Sequence, residues 1–234
     1  MNEEILNRLA ESCRQTLDLN HPLSDEYYYA HLACCVLDAV FSIGVRYAST
    51  RQVVIRYCQA YDLNRLRPPG SPLPDPEQQE PLSRLVERIE AVGPESFAHD
   101  VLANRQRTST RSGLLKTEAV LRFARVLTAA GIETFQDLLA HREDLALEAA
   151  IRSIPGQTSG VSWRYFWMLA GDEEGVKPDR MILGFLQQQT GRSWSNDQAV
   201  AIVQALCRHP LLTPWELTPR RLDHAIWNWQ RTQS

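Results

Sequence analysis

Apolar residues in this chain recur at spacings of three and four far more often than they alternate, which is the signature of helices packing through one face. Between Glu3 and Leu17 the stripe is Ile5, Leu6, Leu9, Cys13 and Leu17. Tyr27 to Ile43 is almost continuously apolar and too long for a strand, which predicts a central buried helix. Ser49 is placed to cap a following helix with Val53, Val54, Tyr57, Cys58 and Tyr61 on its inner side. A further helix is expected from Gly113 to Ala130, carrying Leu115, Ala119, Leu121, Phe123, Val126 and Leu127, with Gly131 as its stop. Thr134 and Asp137 read as a capping-box variant, and Leu145 to Ile154 as a helix broken by Pro155 and Gly156. From Ser162 to Ala170, residues Trp163, Phe166, Trp167 and Ala170 share one apolar face. Gly171 and Gly175 bracket an acidic turn, and Pro178 stands at the start of the next helix. No stretch alternates well enough for a sheet and no repeat is visible, so the expected fold class is all-α.

One segment interrupts this pattern. Six of the 13 prolines fall in the 14 residues from 68 to 81, predicting an extended, helix-free connector over 63–81. The expected organisation is then a central subdomain over about 82–170, with 1–62 and 171–234 forming a second helical subdomain. At 234 residues, 44% of them hydrophobic, the chain can bury a proper core. Its net charge of -3 excludes a partner held by bulk positive charge, although a local basic face remains compatible with it. No apolar run reaches the length of a membrane span, and the acidic, amphipathic start MNEEILNRLAESC fits neither a signal nor a transit peptide. Five cysteines without CxxC spacing read as reduced thiols of a cytoplasmic protein. The six scattered histidines lack ligand spacing, so no metal site and no cofactor are expected.

Two features point to chemistry. EAAIRSIPGQTSGVSWRYFWMLAG has the layout of two helices joined by a tight Pro-Gly turn. Glycines there permit close backbone approach, and the N–H groups opening the second helix suit an anion such as a phosphate. The residues expected to supply that contact are Pro155, Gly156, Gln157, Thr158, Ser159 and Gly160. Asp179, 23 residues after Gly156, lies at a helix start, where the dipole favours a carboxylate. A rigidly held carboxylate can stabilise a developing sugar cation or orient an attacking water.

Taken in order, SGLLKTEAVLRFARVL, EAAIRSIPGQTSG and VKPDRMILGFL resemble the helix–hairpin–helix DNA glycosylase superfamily, the relatives of endonuclease III. Gly113, Lys116 and Ala119 match the first element, Ile154, Pro155 and Gly156 the hairpin, and Asp179 the catalytic aspartate; the resemblance covers roughly residues 27 to 190. It implies two helical subdomains flanking a cleft that receives a flipped nucleotide. It also implies a monovalent cation at the hairpin carbonyls in some members. The stretch Thr158 to Ser162 has no lysine, so the resemblance implies a monofunctional enzyme without lyase activity. The hairpin is one residue longer than the family pattern. The four-cysteine cluster of some relatives is absent, since Cys207 is the one cysteine in the C-terminal third.

Two acid-free stretches fit the same partner, double-stranded DNA. Val101 to Thr117 holds Arg105, Arg107, Arg111 and Lys116 among hydroxyl residues, and Ala39 to Tyr61 holds Arg46, Arg51 and Arg56. Of these, Arg107, Arg111 and Lys116 are the expected phosphate contacts. The turn after the long buried helix faces the lesion in the resembled family, which makes Phe41, Ser42, Arg46 and Tyr47 candidates for a wedge or base pocket. The chain is expected to act as a monomer, with no membrane partner. Two other classes fit the same pattern: a non-catalytic hairpin module reading DNA shape or lesions, and a helical protein-interaction domain using its aromatics.

Overall fold

The computed structural model describes residues 2–110 and 113–233. Its α-helices are α1 (Glu3–Thr16), α2 (Leu32–Phe41), α3 (Tyr47–Ala60), α4 (Leu82–Val92), α5 (Pro94–Ser96), α6 (Lys116–Ala129), α7 (Phe135–Leu139), α8 (Leu145–Arg152), α9 (Val161–Leu169), α10 (Arg180–Thr190), α11 (Asn196–Cys207) and α12 (Pro219–Thr232). Among the described residues, extended pairing is confined to two isolated antiparallel bridges, Tyr29 with Leu66 and Arg107 with Leu115. The fold is all-α. No described helix is long and apolar enough to cross a membrane.

The chain divides into two compact units, Met1–Ser24 with Gly171–Ser234, and Asp25–Ala170. This corrects the expected partition: residues 25–62 and the proline-rich segment belong with the hairpin, and only 1–24 joins the C-terminal helices. The reason is α2. All ten of its residues are buried, and it packs against α3, α6 and α9, so it is the core of the larger unit.

In the smaller unit α1, α10, α11 and α12 enclose Leu9, Cys13, Ile182, Phe185, Leu186, Val203, Leu206, Leu222 and Ile226. Trp229 meets Phe185 edge-on at 5.5 Å. Local chemistry sets the helix ends here. Asn2 caps α1, Ser195 and Gln198 form a capping box on α11, and Gly191 closes α10 in the left-handed region at φ 71°.

Several element boundaries differ from those the sequence predicts. The helix expected from Tyr27 starts at Leu32, because residues 28–30 are extended and bond to 65–67: Ala30 N–H donates to Arg65 O and Arg67 N–H to Tyr28 O. Helix α3 begins at Tyr47, and Ser49 Oγ instead accepts the amides of Asn104 and Gln106 at 3.3 Å. The helix expected from Gly113 starts at Lys116, since Thr108 N–H bonds Leu114 O and Lys116 N–H bonds Gln106 O to close a loop before it. Pro178 precedes α10 by two residues, leaving the cap to Asp179.

The proline-rich segment contains one 3-10 turn, Pro76–Gln78, and its end is stapled to the larger unit. Buried Gln79 accepts Phe135 N–H at 2.9 Å and donates to Pro74 O and Gln136 Oε1 at 2.7 Å. The carboxylate of Glu80 holds Arg88 at 2.5 Å and Tyr57 Oη at 3.1 Å, while Arg88 lies 3.7 Å from the Tyr61 ring centre.

Candidate functional site

The hairpin is built from two successive turns. Gln157 N–H donates to Ile154 O at 2.9 Å and Gly160 N–H to Gln157 O at 3.0 Å. Gly156 at φ 90° and Gly160 at φ 74° occupy the left-handed region that other residues resist. Gly156 is needed for a second reason: a β-carbon there would collide with the Thr108 side chain. The loop before α6 therefore rests directly on the hairpin. Gly160 caps α9 without a side chain, and among the described residues Ser159 Oγ approaches the first turn, 3.4 Å from Val161 N. Gly160 is buried, contrary to expectation, whereas Pro155, Gly156, Thr158 and Ser159 are exposed. Gln157 is not: it is 1% exposed, and neither end of its amide has a hydrogen-bond partner among the described residues. Its side chain faces the interior, which removes it from the expected surface contacts. Behind the turn, α9 buries Trp163, Phe166, Trp167 and Ala170 together with Tyr165, Met168 and Leu169, so it is apolar on more than the one predicted face.

Lys116 is corrected outright. It is 2% exposed, and its Nζ donates to Phe41 O and Ile43 O, both at 2.8 Å. The ammonium thus satisfies carbonyls at the C-terminal end of α2, where the helix dipole is negative. A lysine committed there is not a phosphate contact. Phe41 is likewise fully buried, as part of the core and not a wedge. Ser42 and Tyr47 are half-buried and Arg46 is exposed.

Tyr47 leads to a cluster that the sequence reading missed. Asp38 is fully buried in the otherwise apolar α2 and accepts the Tyr29 hydroxyl at 2.8 Å. Burial, together with Asp38, Tyr47 and Tyr165, holds the Tyr29 phenol far above its ordinary range. Burial and Asp38 raise the Tyr47 phenol too, and its ring lies 5.6 Å from that of Tyr27. The signal was present: Asp38 is the single carboxylate between Tyr27 and Ile43.

The basic stretches are acid-free in sequence but not in space. Glu95 lies 3.4 Å from Arg105 and 3.8 Å from Arg107, which also donates to Gly113 O at 3.0 Å. Arg51 pairs with Glu26 at 2.5 Å, and Arg56 is spent on the carbonyls of Leu102 and Ala103. Arg111 lies outside the described residues.

In the smaller unit Asp179 is the N-cap of α10. Its Oδ1 accepts Met181 N–H at 2.8 Å, while Oδ2 faces Lys177 Nζ at 3.9 Å. Its side chain is 23% exposed, against 12% for Lys177. Lys177 also donates its backbone N–H to Asp223 Oδ2 at 2.8 Å. Asp223 sits inside α12 at 7% exposure, and burial, reinforced by the charge of Asp179, pushes its carboxyl up to about 8. Arg220, on the same helix, pairs with Glu173 at 2.8 Å. A carboxylate fixed by a backbone donor, a lysine and a second, buried carboxyl make up this site. Such a set can hold a negative charge at one point and stabilise a cation forming beside it.

No curated protein and no solved structure matches the chain. Its sequence does match the family described as Domain of unknown function (DUF8548) over residues 7–231, and the chain belongs to that family.

Proposed function

We propose that the chain is a monofunctional DNA N-glycosylase that flips out a damaged or modified base and excises it, leaving an abasic site. The observation that carries this reading is the state of Asp179. One oxygen is locked on Met181 N–H and the other faces Lys177, so the carboxylate is oriented before any substrate arrives. In the reaction, Asp179 stabilises the oxocarbenium-like sugar as the bond to the base lengthens, or positions water at the anomeric carbon. The exposed residues Pro155, Gly156, Thr158 and Ser159 and the start of α9 hold a phosphate through backbone N–H groups. No lysine lies between Thr158 and Ser162, which favours hydrolysis over a lyase step.

The test is release of free base from a panel of duplexes carrying damaged and modified bases. Loss of release in Asp179→Asn, with folding and duplex binding retained, is the expected result. Activity that survives in Asp179→Asn refutes the mechanism. Salt-dependent duplex binding with no base released from any substrate assigns instead a non-catalytic hairpin module.

A further inference from the structure

We infer that Asp223 is the positioning residue for the Asp179 carboxylate: through the Lys177 backbone it anchors the turn that carries Asp179. This rests on the reading of Asp179 as the catalytic group. Three contacts carry it. Asp223 Oδ2 takes the Lys177 N–H at 2.8 Å, Lys177 Nζ reaches Asp179 Oδ2 at 3.9 Å, and Asp179 Oδ1 caps α10 through Met181 N–H at 2.8 Å. The residues Lys177, Pro178 and Asp179 are thus pinned at both ends, by α12 on one side and by their own helix on the other.

Charge separates the roles of the two acids. Asp223 is buried at 7% exposure, whereas Asp179 is more open at 23% and is supported by a helix N-terminus. Of two neighbouring carboxyls, the one in the drier environment keeps its proton. The groups acting on Asp223 are Asp179, Lys177 and Arg220. Asp179 opposes its ionisation; Lys177, which also faces Asp179, and Arg220, which also meets Glu173 at 2.8 Å, favour it but weigh less than burial. The adjacent His224 adds no charge near neutral pH, because burial, His21, Arg220 and Arg231 lower its imidazole to about 4. Near pH 7 Asp223 is therefore a neutral acid. It still accepts the Lys177 N–H, and it leaves the ammonium to Asp179. Above about pH 8 it ionises, competes for Lys177 and places a like charge beside the catalytic carboxylate.

The experiment is a carbon-detected NMR titration of the side-chain carboxyls in the full chain, for the native protein, Asp179→Asn and Asp223→Asn, run beside the pH profile of base release. The expected native result is a midpoint for Asp223 several pH units above that of an ordinary aspartate. In Asp179→Asn that midpoint falls by about one pH unit, because the opposing charge is gone. In Asp223→Asn, whose amide oxygen can still accept the Lys177 N–H, the alkaline fall in base release disappears. An Asp223 midpoint in the ordinary carboxylate range, or one that Asp179→Asn does not move, overturns the proposal. So does an alkaline fall that persists in Asp223→Asn while base release still depends on Asp179. If the two carboxyls titrate as coupled and no duplex releases a base, the pairing of Asp223 with Asp179 stands and the glycosylase reading falls.

Discussion

Replacing Lys116 by Met asks whether a buried ammonium holds the larger unit together. Methionine keeps most of the stem and deletes the charge and its donors. The native Nζ donates to Phe41 O and Ile43 O at 2.8 Å each, and hydrogen bonds from a charged group are worth about 1.5–3 kcal/mol apiece. The loss is partly offset, because burying an ammonium costs several kcal/mol that Met does not incur. The offset is incomplete: the two carbonyls close α2, and stripping a buried carbonyl of its partner costs about 1–3 kcal/mol. The net expectation is a destabilisation of about 2–4 kcal/mol. Urea unfolding followed by circular dichroism should show it as a midpoint lowered by about 1 M, with an unchanged slope of about 2–3 kcal/mol/M. Lys116→Ala should cost more, since it also leaves a cavity. A midpoint for Lys116→Met equal to that of the native protein would refute the reasoning. Duplex binding whose salt slope fell by about one would do so too, since that is the mark of a lost phosphate contact.

Other perturbations separate the remaining roles. Tyr29→Phe removes the buried donor to Asp38 and should destabilise by about 1–3 kcal/mol in the same urea assay; a neutral result would mean that Asp38 does not depend on it. Glu95→Gln should leave stability within about 0.5 kcal/mol, because exposed ion pairs contribute little, yet tighten duplex binding at low salt by releasing Arg105 and Arg107; unchanged affinity would take both arginines out of the interface. Gly156→Ala should destabilise through its positive φ and through Thr108, and Thr108→Gly in the same chain should recover part of that loss in a double-mutant cycle. Stability should also fall as pH rises from about 6.5 to about 8. The folded state binds a proton on Asp223 that the unfolded chain has released, while His224, depressed to about 4, has lost its own influence above 6.5. Melting temperatures across that window should be flatter in Asp223→Asn, and equal slopes in the two proteins would refute the assignment.

What could be read in the sequence was local. Helical spacing along α1, α6 and α9, the Thr134–Asp137 capping box and the turn at Pro155–Gly156 each depend on residues within a few positions, and each appears in the structure. Asp179 was legible for the same reason, because a carboxylate after Pro178 caps the helix that follows it. Boundaries failed where a distant partner offered the backbone another ladder. Tyr28, Tyr29 and Ala30 look helical beside α2 but bond instead to residues 65–67. Charges failed in the same way. Lys116 matched a basic stretch in sequence and is spent on carbonyls 73 and 75 positions away. The Arg105–Arg107 run carried no acid of its own, yet Glu95 reaches both arginines.

The Asp179 site shows why this matters for chemistry and not only for packing. Sequence alone makes Asp179 a capped carboxylate, and by that criterion Asp144 on α8 is its equal, accepting Leu147 N–H at 2.9 Å. What separates them is their surroundings. Asp144 is 35% exposed and has His141 beside it, at 3.3 Å. Asp179 has Lys177 and, through the Lys177 backbone, the buried acid Asp223, which lies 46 positions beyond that lysine. In RRLDHAIW nothing marks Asp223 as buried, because two arginines open the segment and the acid becomes dry only when α12 packs against α10. Capping fixes where a carboxylate points; the second acid decides at which pH it stands as the sole negative charge beside Lys177. Asp144 shares the first property, and it is the second that makes Asp179 the carboxylate to mutate first.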